Sequence, residues 1–283
     1  RCNRASHESI GAFMVKVIPN ILTIAGVDPS GGAGVFADIK AMSALGGYAC
    51  GVVAALTAQN TRAVTGVLPI PAEFVKAQLE TLFEDVHIDA VKIGMLADVE
   101  VIKVVADVLK QYQPKFVVLD PVMVAKSGDR LLPEDAVDAL KAYLLPLATV
   151  LTPNLPEAAA LVGQKEITSQ EEMLPLAKEL LTLLNKDAWL LLKGGHLSGK
   201  DVPDLLIRSG EAFLFNGDRI QTKNTHGTGC TISSALATLL PQCESVPEAT
   251  RRAKEYITAA IAHSDELNVG TGHGPVKHFY NFW

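Results

Sequence analysis

The feature that most constrains the fold is an alternation running along almost the whole chain, in which apolar runs of strand length take turns with stretches of helical periodicity. Strand-length runs occupy 20–25, 49–56, 64–68, 90–93, 116–119, 149–151 and 188–192, and 204–215 reads as a hairpin turning at Ser209-Gly210. Helical patterns fall at 33–45, 71–83, 99–109, 133–143, 156–161, 170–184, 230–240 and 247–263. In the second of these, Pro71 sits in the first turn, where its missing N–H costs nothing, and Phe74, Leu79, Leu82 and Phe83 share a predicted face. Alternation of this kind builds a mostly parallel sheet covered on both faces by crossover helices, an α/β/α sandwich of three layers.

No Pro/Gly/Ser tract, charge block or internal repeat interrupts the pattern, so 19–283 reads as one domain. Residues 1–18 read as an extension, with Met14 placed where a natural start would stand. The short apolar stretch after Ala12 contains Lys16 and is stopped by Pro19, too soon for a membrane span. Hydrophobic residues make up 48% of the 283, enough for a well-buried core. A net charge of −6 gives no electrostatic reason to expect nucleic acid or an anionic membrane as partner. The four cysteines, Cys2, Cys50, Cys230 and Cys243, are spaced neither as zinc ligands nor as a C-x-x-C pair, and read as reduced thiols of a cytoplasmic protein.

Unusual residues gather just after the strand runs: Asp28-Pro-Ser-Gly-Gly-Ala-Gly34, Gln59-Asn60, Gly94-Met95, Asp120-Pro121, Thr152-Pro-Asn154 and Lys193-Gly-Gly195. In a parallel sheet these ends lie along one edge, and ligands bind outside that edge. Each segment also has a plainer reading. Asn224-Thr-His-Gly-Thr-Gly-Cys230 precedes a helix of small residues, and its glycines and free N–H groups suit a phosphate, or simply turn the chain into a buried helix. Asn154 and Glu157 are spaced to place a carboxylate near a magnesium ion, or to close a capping box. Asp28 and Asp120, each before proline, read as metal-associated acids or as turn formers. Lys193 reads as a phosphate contact or as a lysine reaching solvent. His196 and His226 read as surface or stacking histidines. Met95 and Met123 line a pocket or fill a gap in the core.

Taken in order, Leu22-Thr-Ile-Ala-Gly26, Asp28 to Gly34, Ala58-Gln-Asn-Thr61, Lys92-Ile-Gly-Met-Leu96, Asp120-Pro-Val-Met123, Lys126-Ser-Gly128, Thr152 to Ala158, Lys193-Gly-Gly-His196 and Thr225 to Cys230 resemble the hydroxymethylpyrimidine (phosphate) kinases of thiamine biosynthesis, a branch of the ribokinase-like kinases. The match runs from about Ile21 to Gly274-Pro275 and Trp283. The resemblance implies MgATP-dependent phosphorylation of 4-amino-5-hydroxymethyl-2-methylpyrimidine and then of its monophosphate, by a homodimer. It implies that Gln59 hydrogen-bonds the aminopyrimidine, with Gly26, Asp28, Met95 and Val122 around it. Asp120 and Glu157 belong to the magnesium site, and Asn154, Lys193, Thr225, His226, Gly227, Thr228 and Gly229 to the ATP site. Gly227 and Gly229 build the anion hole, and Cys230 stands where related sugar kinases carry an aspartate base. Cys230, at a helix N-terminus, is expected to have a depressed pKa. A pyridoxal kinase of the same superfamily and a non-catalytic pyrimidine sensor are the alternatives. The intact acids, lysine and glycine loop speak against the sensor.

Overall fold

The computed structural model describes residues 17–125, 128 and 130–283. Most of the 1–18 extension, with Cys2 and Met14, and Lys126 and Ser127 of the Lys126-Ser-Gly128 motif lie outside the described residues.

Nine strands form one sheet: β1 (Asn20–Val27), β2 (Tyr48–Gln59), β3 (Val64–Pro69), β4 (Ala90–Ile93), β5 (Phe116–Leu119), β6 (Val150–Leu151), β7 (Trp189–Lys193), β8 (Asp204–Arg208) and β9 (Glu211–Phe215). Their spatial order is β3-β2-β1-β4-β5-β6-β7-β8-β9. All neighbours from β2 to β7 run parallel, while β3, β8 and β9 join antiparallel at the two margins. The order reverses direction at β1, where the chain crosses from β2 on one side to β4 on the other. That is the switch point at which α/β sheets bind ligands.

The central strands are short and apolar because both of their faces are covered. Successive residues serve opposite layers. Leu22, Ile24, Val91 and Ile93 point into the layer of α2 (Ala72–Asp85), α3 (Val99–Tyr112), α4 (Glu134–Ala139), α5 (Leu155–Val162) and α6 (Met173–Leu181). Ile21, Ala90, Val118 and Val150 point into the layer of α1 (Gly34–Ala44), α7 (Thr228–Leu239) and α8 (Val246–Ala262). The three-layer α/β/α expectation is met.

Local chemistry sets the helix ends. Asp98 caps α3 by accepting from the Val101 N–H at 2.9 Å, and Gly163 closes α5 in the left-handed conformation. Two expectations are corrected. Phe74 of α2 is 61% exposed and leaves the predicted face, which buries Leu79 as expected, packs Leu82 and Phe83 against the core and adds Val75. Helix α7 begins at Thr228, not at 230, because Gly227 takes a positive φ of 76° and turns the chain into the helix two residues earlier. Among the described residues, no helix is long and apolar enough to cross a membrane.

Candidate active site

Three backbone segments interlock beside the end of β1. Gly227 packs so closely on the 28–34 loop that a Cβ at Gly227 would stand 1.7 Å from the Gly32 carbonyl oxygen. Asp28, 2% exposed, spends its carboxylate on holding that loop. Its Oδ1 accepts from the Ser30 N–H (2.8 Å) and Ser30 Oγ (2.7 Å), and its Oδ2 accepts from the Ala33 N–H (3.0 Å). Oδ2 also pairs with His226 Nε2 at 2.7 Å. Burial raises the Asp28 pKa, but His226 and Ser30 more than offset it and leave the carboxyl below its ordinary value. His226 is 6% exposed, so the reading of a surface histidine is corrected: it is a buried partner of Asp28. Its backbone N–H donates to Gly274 O at 3.0 Å, which ties in the C-terminal segment.

This clasp presents the start of α7. The helix carries no side-chain cap and no acidic residue in its first turn; the Thr228 N–H donates to Thr225 O at 3.3 Å, and the Gly229 and Cys230 N–H groups that follow, with the positive dipole end, suit an anion. A Cβ on Gly229 would stand 3.2 Å from Lys193 Nζ and 3.8 Å from Asp120 Oδ2, which places the glycine turn, the lysine and the aspartate together. Asp120 Oδ1 accepts from Lys193 Nζ (3.1 Å) and Thr152 Oγ1 (3.2 Å), and Oδ2 from Ser233 Oγ (3.3 Å). Lys193 is therefore no solvent-reaching lysine. Burial works against its charge, yet Asp120 and Glu157 override that and hold its pKa above the ordinary value.

Asn154 and Glu157 close the capping box at the start of α5. Asn154 Oδ1 accepts from the Glu157 N–H and Glu157 Oε2 from the Asn154 N–H, both at 2.8 Å. The plainer reading of this pair is thus realised, and it does not remove the carboxylate from the site. Burial pushes the Glu157 carboxyl up to about 7, with Asp120 adding to the rise, while Lys193 and the Asn154 and Met123 amides pull the other way. A carboxyl so poised is one that a cation would ionise. Among the described residues no three His, Cys, Asp or Glu side chains cluster as a metal cage. The carboxylates of Asp120 and Glu157 are hard oxygen donors of the type magnesium takes beside waters and substrate phosphates.

Next to this group, beyond β4, the surface is apolar. Met95, Ala55 and Ala97 form a small cluster against Val122 and Leu131, and a Cβ on Gly26 would stand 2.5 Å from Met95 Cε. Met95 therefore forms a wall and Gly26 leaves room beside it. At the end of β2, Thr57 Oγ1 lies 2.8 Å from Val27 O and 3.2 Å from Gln59 Oε1, which orients the Gln59 amide at the same edge. An open groove of about 450 Å³ between β2 and α2, lined by Gly51, Phe74 and Gln78, contains none of these residues.

The sequence reading assigned no role to Lys92 and Asp38, each fully buried, with Lys92 Nζ 2.9 Å from Asp38 Oδ2. A signal was present, since a lysine inside a short central parallel strand has no route to water and needs a carboxylate. The expectation for Cys230 is reversed. Burial pushes its thiol up to about 11, and Asp38 and Asp120 add to the rise, against the opposing Lys92 charge and Gly34 N–H.

Comparison with known proteins places the chain among vitamin kinases in sequence and fold. The phosphomethylpyrimidine kinase family model matches residues 28–277. The hydroxymethylpyrimidine/phosphomethylpyrimidine kinase of Escherichia coli strain K12 is 51% identical over 265 residues, covering 93% of this chain and 98% of that one. The phosphomethylpyrimidine kinase of Clostridium difficile 630 superposes with a TM-score of 0.75 at 41% identity, over 86% of this chain and 99% of that chain. Pyridoxal kinase of Bacillus subtilis, solved with ADP, superposes with a TM-score of 0.84 at 37% identity, over 93% and 98% of the two chains. With its family model matched over 28–277 and half of its residues shared with a kinase of nearly the same length, the chain belongs to the phosphomethylpyrimidine kinase family.

Proposed function

We infer that the chain is an ATP-dependent kinase acting on 4-amino-5-hydroxymethyl-2-methylpyrimidine and its monophosphate in thiamine biosynthesis. The observation that carries this is the convergence of Gly229, Lys193 and Asp120 beyond the ends of β5 and β7, with the apolar Met95 wall next to it, beyond the neighbouring strand β4. The 51% identity to the Escherichia coli kinase supports the substrate class.

In the reaction the bond between the γ-phosphorus and the β–γ bridging oxygen breaks and ADP leaves with that oxygen, a bond to the acceptor oxygen forms, and the acceptor hydroxyl's proton passes to a phosphoryl oxygen and on to solvent. Gln59 orients the pyrimidine, its amide matching a ring nitrogen and the exocyclic amine. Gly26, Met95 and Val122 hold the ring face, and Asp28 acts on this pocket through the loop it clasps. N–H groups at 227–230 and the Lys193 ammonium hold the transferring phosphoryl group, a static arrangement suited to a loose transition state. Asn154, Thr225, His226 and Thr228 shape the nucleotide side. Asp120 and Glu157 would hold magnesium, which when bound neutralises charge on the phosphates. Cys230 enters the reaction as a neutral thiol, so proton removal from the acceptor contributes little before the phosphoryl group has begun to move.

The free thiols of Cys50, Cys230 and Cys243 suit a reducing compartment, and we assign the enzyme to the cytoplasm, as a homodimer. A pyridoxal side activity is the second reading, favoured by the fit to the Bacillus subtilis pyridoxal kinase. A coupled ADP-release assay with hydroxymethylpyrimidine, its monophosphate, pyridoxal and ribose tests both. Magnesium-dependent turnover, fastest with a pyrimidine, is expected. Faster turnover of ribose would overturn the substrate, and faster turnover of pyridoxal would exchange the two readings.

A further inference from the structure

Lys92 lies in the middle of β4 with no exposure, on the face covered by α1 and α7. A charge there is costly unless it is paired, and the pairing is complete. Asp38 of α1, also without exposure, takes Lys92 Nζ on both carboxylate oxygens, at 2.9 and 3.1 Å. The same carboxylate accepts from Thr23 Oγ1 of β1 and from Ser234 Oγ of α7, each at 2.6 Å. One buried ion pair thus joins β1 and β4, whose ends carry Gly26 and Met95, to the helix whose first turn forms the anion hole. Ser234 stands one turn beyond Cys230. A Cβ on Gly94 would lie 2.8 Å from Lys92 Nζ, so the glycine that ends the strand makes room for the ammonium.

We propose that Lys92, clamped by Asp38, is a positioning residue for phosphoryl transfer, fixing the first turns of α7 and the Cys230 side chain against the strand ends that hold the pyrimidine. Lys92 does not touch the reacting atoms. It acts through α7, by way of Asp38 and Ser234, and Cys230 one turn before Ser234 reports on that helix. The charged groups around that thiol are Lys92 from β4, Lys193 at the end of β7, Asp38 from α1 and Asp120 after β5, with the Gly34 N–H beside them. Lys92 and Asp38 bias the thiol in opposite directions, which separates this role from plain structural support.

The assignment rests on the kinase reading, but one arm of its test needs no substrate. Peptide-resolved iodoacetamide labelling of Cys230 between about pH 7.5 and 9.5, alongside kcat and KM, is measured for Lys92→Met, Asp38→Asn and the double variant. Lys92→Met is expected to slow labelling at fixed pH by at least about threefold and Asp38→Asn to speed it by a similar factor. Both single variants lose roughly tenfold or more in kcat, with KM for pyrimidine and for ATP within about threefold. The double variant leaves no unpaired charge at this position and keeps a folded core. Its labelling returns to within about threefold of the parent while kcat stays low. Labelling that slows in both single variants, or changes in neither, overturns the proposal, as does a kcat for Lys92→Met within about threefold of the parent. If the single variants do not fold, the double variant decides, and parent-like kcat in it overturns the proposal. A parent enzyme with no ADP release condemns the kinase reading instead, whatever the labelling shows.

Discussion

Gln59 and Lys193 stand at opposite ends of the site and fail differently when removed. Gln59→Ala takes away an amide held at the strand edge by Thr57, so the pyrimidine loses a donor and an acceptor at once. The expected cost is about 1–3 kcal/mol, roughly a tenfold to hundredfold loss of pyrimidine affinity, with ATP affinity unchanged. Titration calorimetry with each ligand alone checks this, and equal weakening of both would remove Gln59 from the pyrimidine end. Lys193→Ala should lower kcat by roughly 10²-fold, since it deletes one of the donors facing the transferring group. Its Asp120 partner keeps Thr152 and Ser233 as donors, so the melting transition should remain cooperative. A parent-like kcat would take Lys193 out of the phosphate site.

At the scale of elements, the start of α7 decides the chemistry. Gly227 is held at φ 76°, and a side chain there meets the Gly32 carbonyl at a distance no packing tolerates. Gly227→Ala should therefore separate the 28–34 loop from α7 and lower kcat by about 10²-fold, a displacement effect reached without touching any side-chain contact to substrate. The melting temperature should fall as well, because left-handed alanine alone costs about 1 kcal/mol. Parent-like kinetics would show that the glycine turn does not set the anion hole. The sequence pointed to this helix through its two glycines, but misplaced its start, because periodicity reports the buried stripe and not where the chain turns into it. Phe74 shows the same limit: its spacing matches the buried stripe of α2, yet it falls on the exposed side.

Over the whole molecule, the C-terminal segment is what holds the site closed. His278, 4% exposed, shares a 3.0 Å hydrogen bond with Thr231 of α7, and its carbonyl accepts from Tyr256 of α8 at 2.7 Å. Burial, with Lys40 and His226 nearby, depresses its pKa from 6.5 to about 3. Below pH 6.5 the unfolded chain binds a proton that the folded chain refuses, so stability falls as the pH drops from about 6.5 toward 3. The slope is at most about 1.4 kcal/mol per pH unit, with a ceiling of roughly 5 kcal/mol. Urea unfolding at pH 7, 6, 5 and 4 should show this loss, and His278→Gln should flatten it over that range. An unchanged slope in His278→Gln would place the acid sensitivity elsewhere.

The order of apolar and polar residues by itself determined the layers, the parallel sheet and the edge on which the polar loops meet, because strand and helix periods are properties of neighbouring residues. It also pointed to Gln59, Asp120 and Lys193, at or just after strand ends and so bound for that edge, while Glu157 and the 225–230 turn were singled out by their motifs and by resemblance. What each side chain does there belongs to the tertiary structure. Asp28 turned out to hold a loop, His226 to be its buried partner, and Cys230 to be a neutral thiol, while Lys92 and Asp38 emerged as a charge pair under the helix end. Hydrogen-bond partners 54 and 198 residues away in sequence settle those roles. Burial sets the sign of a pKa shift, and only the assembled layers fix how deeply a group lies.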